Sequence, residues 1–305
     1  MVEKIILSKY RGFCAGVDYA VNVLEKLLKY HKPLYVKHKI VHNNYVVRGF
    51  EERGVIFVED LKEIPSGNVV VLSAHGSPPW IKEQAEKLNL RVYDAACPLV
   101  TKVHKEALRF AKNGYEIIYI CHRNHIEAKG TLSLAPMHVV ERLKDVDELK
   151  INSNKIACIK QTTLSLDETK AIEDRLKQIY QNVVFPKKED ICYATQNRQN
   201  AIKEVADLSD LVLVIGTNIS SNSLRLSETA NRLTKTYLIE SYHDVNEYWL
   251  KEVKVLGITT SASAPEFLLE ELLEHLNKKY GQIDIVNRTR EDEEIDFAPL
   301  RIKDE

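Results

Sequence analysis

The chain has 305 residues, 44 % of them hydrophobic and 29 % charged, with a formal net charge of −1. That composition belongs to a folded globular protein and leaves no charge footprint for nucleic acid or an anionic membrane surface. The length fits two or three α/β domains of about 100 to 150 residues each. No run approaches the roughly 20 apolar residues of a membrane helix, and the apolar start of MVEKIILSKYRGF is too short for a signal peptide, so a cytoplasmic protein is expected.

Helix and strand patterns alternate from end to end, the signature of parallel sheets. After a first strand within residues 1–13, CAGVDYAVNVLEKLLKY reads as an amphipathic helix and PLYVKHKIV as a strand. A helix at VVRGFEERG, strands at VIFVE and NVVVLSA, a helix at PPWIKEQAEKLN and a strand at RVYDA complete the first unit. The order recurs from CPLVTKVHKEALRFAKNG through EIIYI, HIEAKGTL, HVVERL, KIACIK and LSLDETKAIEDRLKQIY to NVVFP. It recurs again from CYATQNRQNAIKEVADL through LVLVI, SSNSLRLSETANRLTK, TYLIE, VKVLGIT and PEFLLEELLEHLNKKYG to QIDIVN. The expected organisation is therefore three similar parallel-sheet α/β units of about four strands each, at 14–96, 97–191 and 192–305, the last taking in strand 1–13. A pseudo-threefold arrangement would gather their strand ends at one centre. The charged tail from Arg290 to Glu305 reads as a solvated extension.

Cysteine spacing sharpens the repeat. Cys14 and His42, Cys97 and His125, and Cys192 and Ser220 are separated by 42−14, 125−97 and 220−192, which is 28 each time. Each of these cysteines opens a helix, where the positive end of the macrodipole favours the thiolate that a metal needs. Three thiolates without a near fourth can hold zinc together with a histidine, or a 4Fe-4S cluster with one iron left unligated by protein. The odd total of five cysteines does not form a disulfide framework in a reducing compartment. Cys121 and Cys158 lie within apolar strands and read as buried small hydrophobes.

In parallel sheets, ligands bind beyond the carboxyl ends of the strands. Polar signals fall there in every unit: His42, His75, His125, Thr162, Thr163, Ser220, Ser221, Asn222 and Ser263. This lining is rich in hydrogen-bond donors and poor in Lys and Arg, which suits a phosphate group, with the histidines supplying positive charge. Neither a Gly-x-Gly-x-x-Gly nor a Walker sequence is present, so a small phosphorylated substrate is favoured over a dinucleotide. Glu127 is the loop carboxylate without an obvious cationic partner; burial would raise its pKa towards neutrality and make it a proton donor.

At these residues the chain resembles the 4-hydroxy-3-methylbut-2-enyl diphosphate reductase (LytB/IspH) family. RGFCAGVDYAV, VHNNYVV, SAHG, CPLVTKVH, HIEAKGT, QTTLS, DICYATQNRQ, SSNSLRL and SASAP look like that family's motifs in that family's order, from Arg11 to Pro265. The resemblance implies a three-lobed fold around one 4Fe-4S cluster held by Cys14, Cys97 and Cys192, with one iron not ligated by protein. It implies a diphosphate held by His42, His75, His125, Ser220, Ser221, Asn222 and Ser263. Thr162 would stand near the allylic hydroxyl and Glu127 would supply protons. Electrons would come from a ferredoxin or flavodoxin, and the products would be isopentenyl and dimethylallyl diphosphates. Cys121, Ile126, Ala96 and Thr260-Ser261 depart from the residues many members carry there. Two rivals are a quinolinate synthase-like 4Fe-4S dehydratase, which would bind carboxylates, and a non-catalytic iron-sulfur electron carrier or sensor.

Overall fold

The computed structural model describes residues 2–287, 289–291 and 293–299. Strand β1 (Lys4–Leu7) leads to helix α1 (Ala15–Leu27), followed by β2 (Leu34–Lys37), α2 (Asn44–Glu51) and β3 (Val55–Val58). Next come β4 (Val69–Leu72), α3 (Pro79–Lys87), β5 (Arg91–Asp94), α4 (Pro98–Lys112) and β6 (Glu116–Ile120). The middle of the chain continues through α5 (Ile126–Leu132), β7 (Met137–Val140), α6 (Leu143–Asp147), β8 (Ile156–Lys160), α7 (Leu166–Ile179) and the two-residue β9 (Val183–Val184). The last part holds α8 (Tyr193–Asp207), β10 (Leu211–Ile215), α9 (Ser221–Asn231), β11 (Thr236–Ile239), β12 (Val255–Thr260), α10 (Phe267–Tyr280) and β13 (Asp284–Val286).

Three parallel sheets result, with strand orders β3-β2-β4-β5, β7-β6-β8-β9 and β11-β10-β12-β1-β13. The first four strands of each sheet follow one order; the third sheet adds β13, the strand expected at QIDIVN, outside β1. Their central strands, VVVL, EIIYI, IACIK and LVLVI, are continuous apolar runs because helices cover both faces. On the third sheet α10 presents Leu268, Leu269, Leu272, Leu273 and Leu276, spaced to form one face, against Ile5, Leu7, Leu213 and Ile258. Each such leucine stabilises the fold by about 1.5–3 kcal/mol through burial.

Two compact bodies divide the chain. One carries the third sheet, from the residues up to Ala15, the segment His42–Val46, and Tyr193–Asp296. The other carries the first two sheets, from Gly16–Val41 and Val47–Cys192. Among the described residues no helix is long and apolar enough to cross a membrane.

The fourth strand of each sheet runs into a cysteine: β5 into Cys97, β9 into Cys192 and β1 into Cys14. Each cysteine N–H then bonds a carbonyl just beyond the third strand of that same sheet. Cys97 N donates to Ala74 O (2.9 Å), Cys192 N to Thr162 O (3.0 Å) and Cys14 N to Ala262 O (3.1 Å). The constant 28-residue spacing also has a structural cause, because a helix, a strand and a loop carry the chain from each cysteine to the start of the next helix. There His125 and Ser220 are N-caps of α5 and α9, and Asn43, next to His42, accepts from Val46 N at the start of α2.

The charged tail departs from the solvated extension read in the sequence. Glu291 N donates to Lys9 O (3.0 Å), and the Glu293 carboxylate pairs with the buried Arg198. A run of like charges hides which member has a buried partner; residues 300–305 lie outside the described residues.

Candidate functional site

In the body with the first two sheets, Glu127 occupies the first turn of α5 and is 2 % exposed. Its Oε1 accepts the backbone N–H of Thr162 (2.7 Å), and its Oε2 pairs with the Thr162 hydroxyl (2.8 Å). Burial pushes its pKa up to about 7, against the lowering effect of the two Thr162 hydrogen bonds. The Thr162 hydroxyl donates to Oε2 of the ionised carboxylate; in the neutral form, with Oε1 taken by an amide donor, the carboxyl proton belongs on Oε2, facing Thr162 Oγ1. Thr162 also accepts Cys192 N–H through its carbonyl, so one residue at the end of β8 joins a proton-holding carboxyl to a cysteine.

His125 caps α5 by accepting Glu127 N–H at Nδ1 (3.2 Å), which leaves its proton on Nε2. Burial first, and then the neighbouring His122, lower its pKa to about 4, so it acts as a neutral N–H donor. This corrects the expectation that it supplies positive charge in the ligand-free protein. The His75 ring meets His125 edge to face at 6.4 Å and has Ser73 Oγ 3.3 Å from its Nδ1. Gln161 steadies the same loops, accepting from His122 N (3.0 Å) and donating to Thr163 Oγ1 (3.0 Å).

Gly76, beside His75, has φ +77°, and a Cβ there would lie 2.8 Å from His104 Cε1. We expect Gly76→Ala to lower stability by about 1–3 kcal/mol and raise KM several-fold, because left-handed strain and the His104 contact both displace the His75 turn. Thermal melting with steady-state kinetics checks this; unchanged KM would show that the turn does not position His75.

In the other body, Ser220 caps α9 with its Oγ accepting Ser223 N–H (3.3 Å), and Ser221 and Asn222 form the first turn. Asn222 Oδ1 accepts Ala262 N–H (2.9 Å), which leaves Nδ2 a buried donor with no partner among the described residues. The Ser263 and Thr217 hydroxyls both donate to the His42 carbonyl (3.1 Å each), fixing His42 beside α9. An unpartnered amide donor at a helix N-terminus, with buried serines around it, is suited to an anion. Gly216 permits this packing: a Cβ there would fall 2.8 Å from Ser223 Cβ and 2.9 Å from Ser261 Oγ.

Cys14, Cys97 and Cys192 are partly exposed and none is in a disulfide. Cys121 and Cys158 are fully buried, and burial pushes the Cys121 thiol to about 12 and that of Cys158 well above its usual value, which marks both as inert. The three partly exposed thiols, all at helix starts with their backbone pinned to a sheet, fit a thiolate-ligated iron-sulfur group. Among the described residues no group of three or more His, Cys, Asp or Glu is gathered to hold a single metal ion. A cluster spreads its thiolates over separate irons.

A family model described as LytB protein matches residues 5–277. The chain belongs to the LytB family. This LytB chain is 44 % identical over 294 residues to the 4-hydroxy-3-methylbut-2-enyl diphosphate reductase of Ruthia magnifica subsp. Calyptogena magnifica, covering 94 % of this chain and 96 % of that one. It is 48 % identical over 282 residues to the reductase of the same name from Buchnera aphidicola subsp. Schizaphis graminum, covering 90 % of each. Among solved structures, the E-1-hydroxy-2-methyl-but-2-enyl-4-diphosphate reductase from Plasmodium falciparum superposes with a TM-score of 0.91 at 38 % identity, covering 94 % of this chain and 92 % of that one. Gln161 heads the QTTLS motif read in the sequence, whereas Thr217 and Gly216 do not stand out there; a hydroxyl that bonds a neighbouring loop, or a glycine that makes room for one, carries no periodic signal.

Proposed function

We propose that the chain reduces (E)-4-hydroxy-3-methylbut-2-enyl diphosphate to isopentenyl and dimethylallyl diphosphates, the last step of the non-mevalonate isoprenoid pathway. Membership of the LytB family and reductase relatives matched over nearly the whole chain support the reaction. The observation that carries the site is Thr162, bonded to Cys192 through its carbonyl and to the buried Glu127 carboxyl through its hydroxyl and N–H. Cys14, Cys97 and Cys192 would hold one 4Fe-4S cluster. When bound, that group would supply Lewis acidity at an iron the protein leaves unligated and one-electron redox capacity for electrons from a ferredoxin or flavodoxin.

Everything else falls to the protein. Asn222 Nδ2, Ser220, Ser221, Ser263 and the N-terminus of α9 bind the diphosphate, with His42, His75 and neutral His125 as N–H donors. Fixing that end aligns the allylic carbon. Glu127 passes its Oε2 proton to Thr162 Oγ1, and the Thr162 hydroxyl gives its own proton to the substrate hydroxyl. The C–O bond then breaks and water leaves. Two electrons and a second proton, added to the allylic carbons, complete the diphosphate products, so the reaction balances as two electrons and two protons consumed with one water released.

Acid catalysis by Glu127 sets the pH dependence. A carboxyl with a pKa of about 7 holds its proton below that value, so turnover should fall about tenfold per unit as pH rises above it. Single-turnover rates across that range read the limb directly; a flat profile would remove Glu127 from the proton-transfer step. The reading as a whole is tested by anaerobic purification, iron and sulfide analysis, and absorption spectra with and without substrate. About four iron and four sulfide per chain, with a substrate-dependent spectral change, is expected for an open-iron cluster. Bound zinc without sulfide would sink it.

A further inference from the structure

Arg198 is one of the largest fully buried side chains, 1 % exposed, and the reaction as described does not use it. It lies six residues after Cys192, in α8. Its Nη2 donates to Gly12 O (3.0 Å), two residues before Cys14, while its Nη1 donates to Ala194 O (3.2 Å) and to both oxygens of Glu293 (2.9 and 3.0 Å). Asn197 Nδ2 adds a bond to Glu293 Oε1 (3.2 Å). Gly12 is gripped from its other side as well, since its N–H donates to Thr260 Oγ1 at the end of β12. The residue has φ +72°, and a Cβ would stand 3.0 Å from both Arg290 Nη1 and Glu266 Oε2. The backbone ahead of Cys14 is therefore clasped by a buried cation whose charge is balanced from the C-terminal tail.

The same relation recurs in the other body with different residues. Lys102 lies five residues after Cys97, in α4. Its Nζ donates to Lys188 O (2.7 Å), Glu189 O (2.9 Å) and Asp190 Oδ1 (2.7 Å), the three residues that lead to Ile191 and Cys192. The Asp190 side chain is wholly buried, and its Oδ2 accepts Lys160 N (3.0 Å), which anchors the loop to β8. In both places a cation on the helix opened by one cysteine holds the backbone two to four residues ahead of another. Two unrelated clasps, one arginine with a glutamate and one lysine with an aspartate, meet the same need.

We infer that Arg198 and Lys102 are positioning residues, which fix the loops ahead of Cys14 and Cys192 and thereby set where those two thiolates stand. The inference rests on the reading of these cysteines as cluster ligands. A ligand loop left to open locally lets its thiolate depart, so the clasps act on cluster retention and not on the proton-transfer step. Glu293 is part of the device because Arg198 without it would be an uncompensated buried charge.

The test uses full-length protein, cluster-free for thiol labelling and loaded for chelator challenge. Lys102→Met should make Cys192 react with iodoacetamide about tenfold faster relative to Cys97, the scale of one lost charge-assisted hydrogen bond opposing local opening. Arg198→Met and Glu293→Gln should do the same at Cys14, with Cys121 and Cys158 protected in all variants, and each loaded variant should release iron to a chelator faster than wild type. Labelling of Cys14 and Cys192 at wild-type rates would overturn the inference. Should Arg198→Met expose all five cysteines by unfolding, Glu293→Gln and Lys102→Met decide the matter, since the first keeps side-chain volume and Lys102 is partly exposed. Selective labelling in the variants, together with a wild-type chain that takes up no iron, would sink the reductase reading and leave the clasps standing. Normal cluster uptake with unselective labelling would do the reverse.

Discussion

Glu127→Gln should lower turnover by roughly 100-fold or more while substrate still binds and iron content is unchanged, the usual scale for losing a positioned acid. The substitution is informative because glutamine copies the protonated carboxyl. Its Oε1 can accept the Thr162 N–H as Glu127 does at 2.7 Å, and its Nε2 can donate to Thr162 Oγ1 as a neutral carboxyl would across the 2.8 Å contact. Geometry is kept and only the transferable proton is lost. Near-normal single-turnover rates would place the proton donor elsewhere.

A second readout separates this chemical loss from damage to the fold. Burial raises the folded-state pKa of Glu127 from 4.5 to about 7, so its ionised form is penalised in the native protein. The contribution of the neutral carboxyl is fully present below the unfolded-state value and is lost as pH rises towards the folded-state one. Glutamine does not ionise and escapes that loss. Melting of the variant should therefore improve relative to wild type between acid and mildly alkaline pH, even as activity disappears.

Much of this architecture can be read in the chain because its signals are local and repeated. VVVL, EIIYI and LVLVI are too apolar for half-exposed strands, and the helices between them carry one apolar face, so parallel sheets follow. The 28-residue interval is legible for the same reason, since a helix, strand and loop of fixed size produce it. What stays hidden depends on contacts between distant segments. Glu293 looks like any other member of REDEEID until Arg198, 95 residues earlier, is placed against it. Lys102 resembles an ordinary exposed helical lysine, yet it binds two carbonyls ahead of Cys192. The protonation of His125 is equally illegible: sequence marks it as an anion-binding residue, but burial decides that it donates as a neutral ring.

Cys97→Ser should abolish the cluster and all turnover while leaving the cluster-free fold intact. Cys97 is the N-cap of α4, a position where serine is among the preferred residues. The backbone bond from residue 97 to Ala74 O survives the change. Helix start and sheet anchor are therefore preserved, and the loss is confined to the donor atom: a soft thiolate is replaced by a hard hydroxyl that stays protonated at neutral pH. Iron and sulfide should fall to background after anaerobic purification, with the melting temperature of the cluster-free protein within a degree or two of its parent, about the effect of a mild surface change. Cys158→Ala gives the opposite pattern. Its sulfur packs in the apolar core of the second sheet with Ile118, Ile156 and Ile172, so the substitution leaves a small cavity costing about 1 kcal/mol but keeps the cluster. A Cys97→Ser protein that retained a full complement of iron and sulfide would overturn the three-cysteine ligand set, whatever its activity.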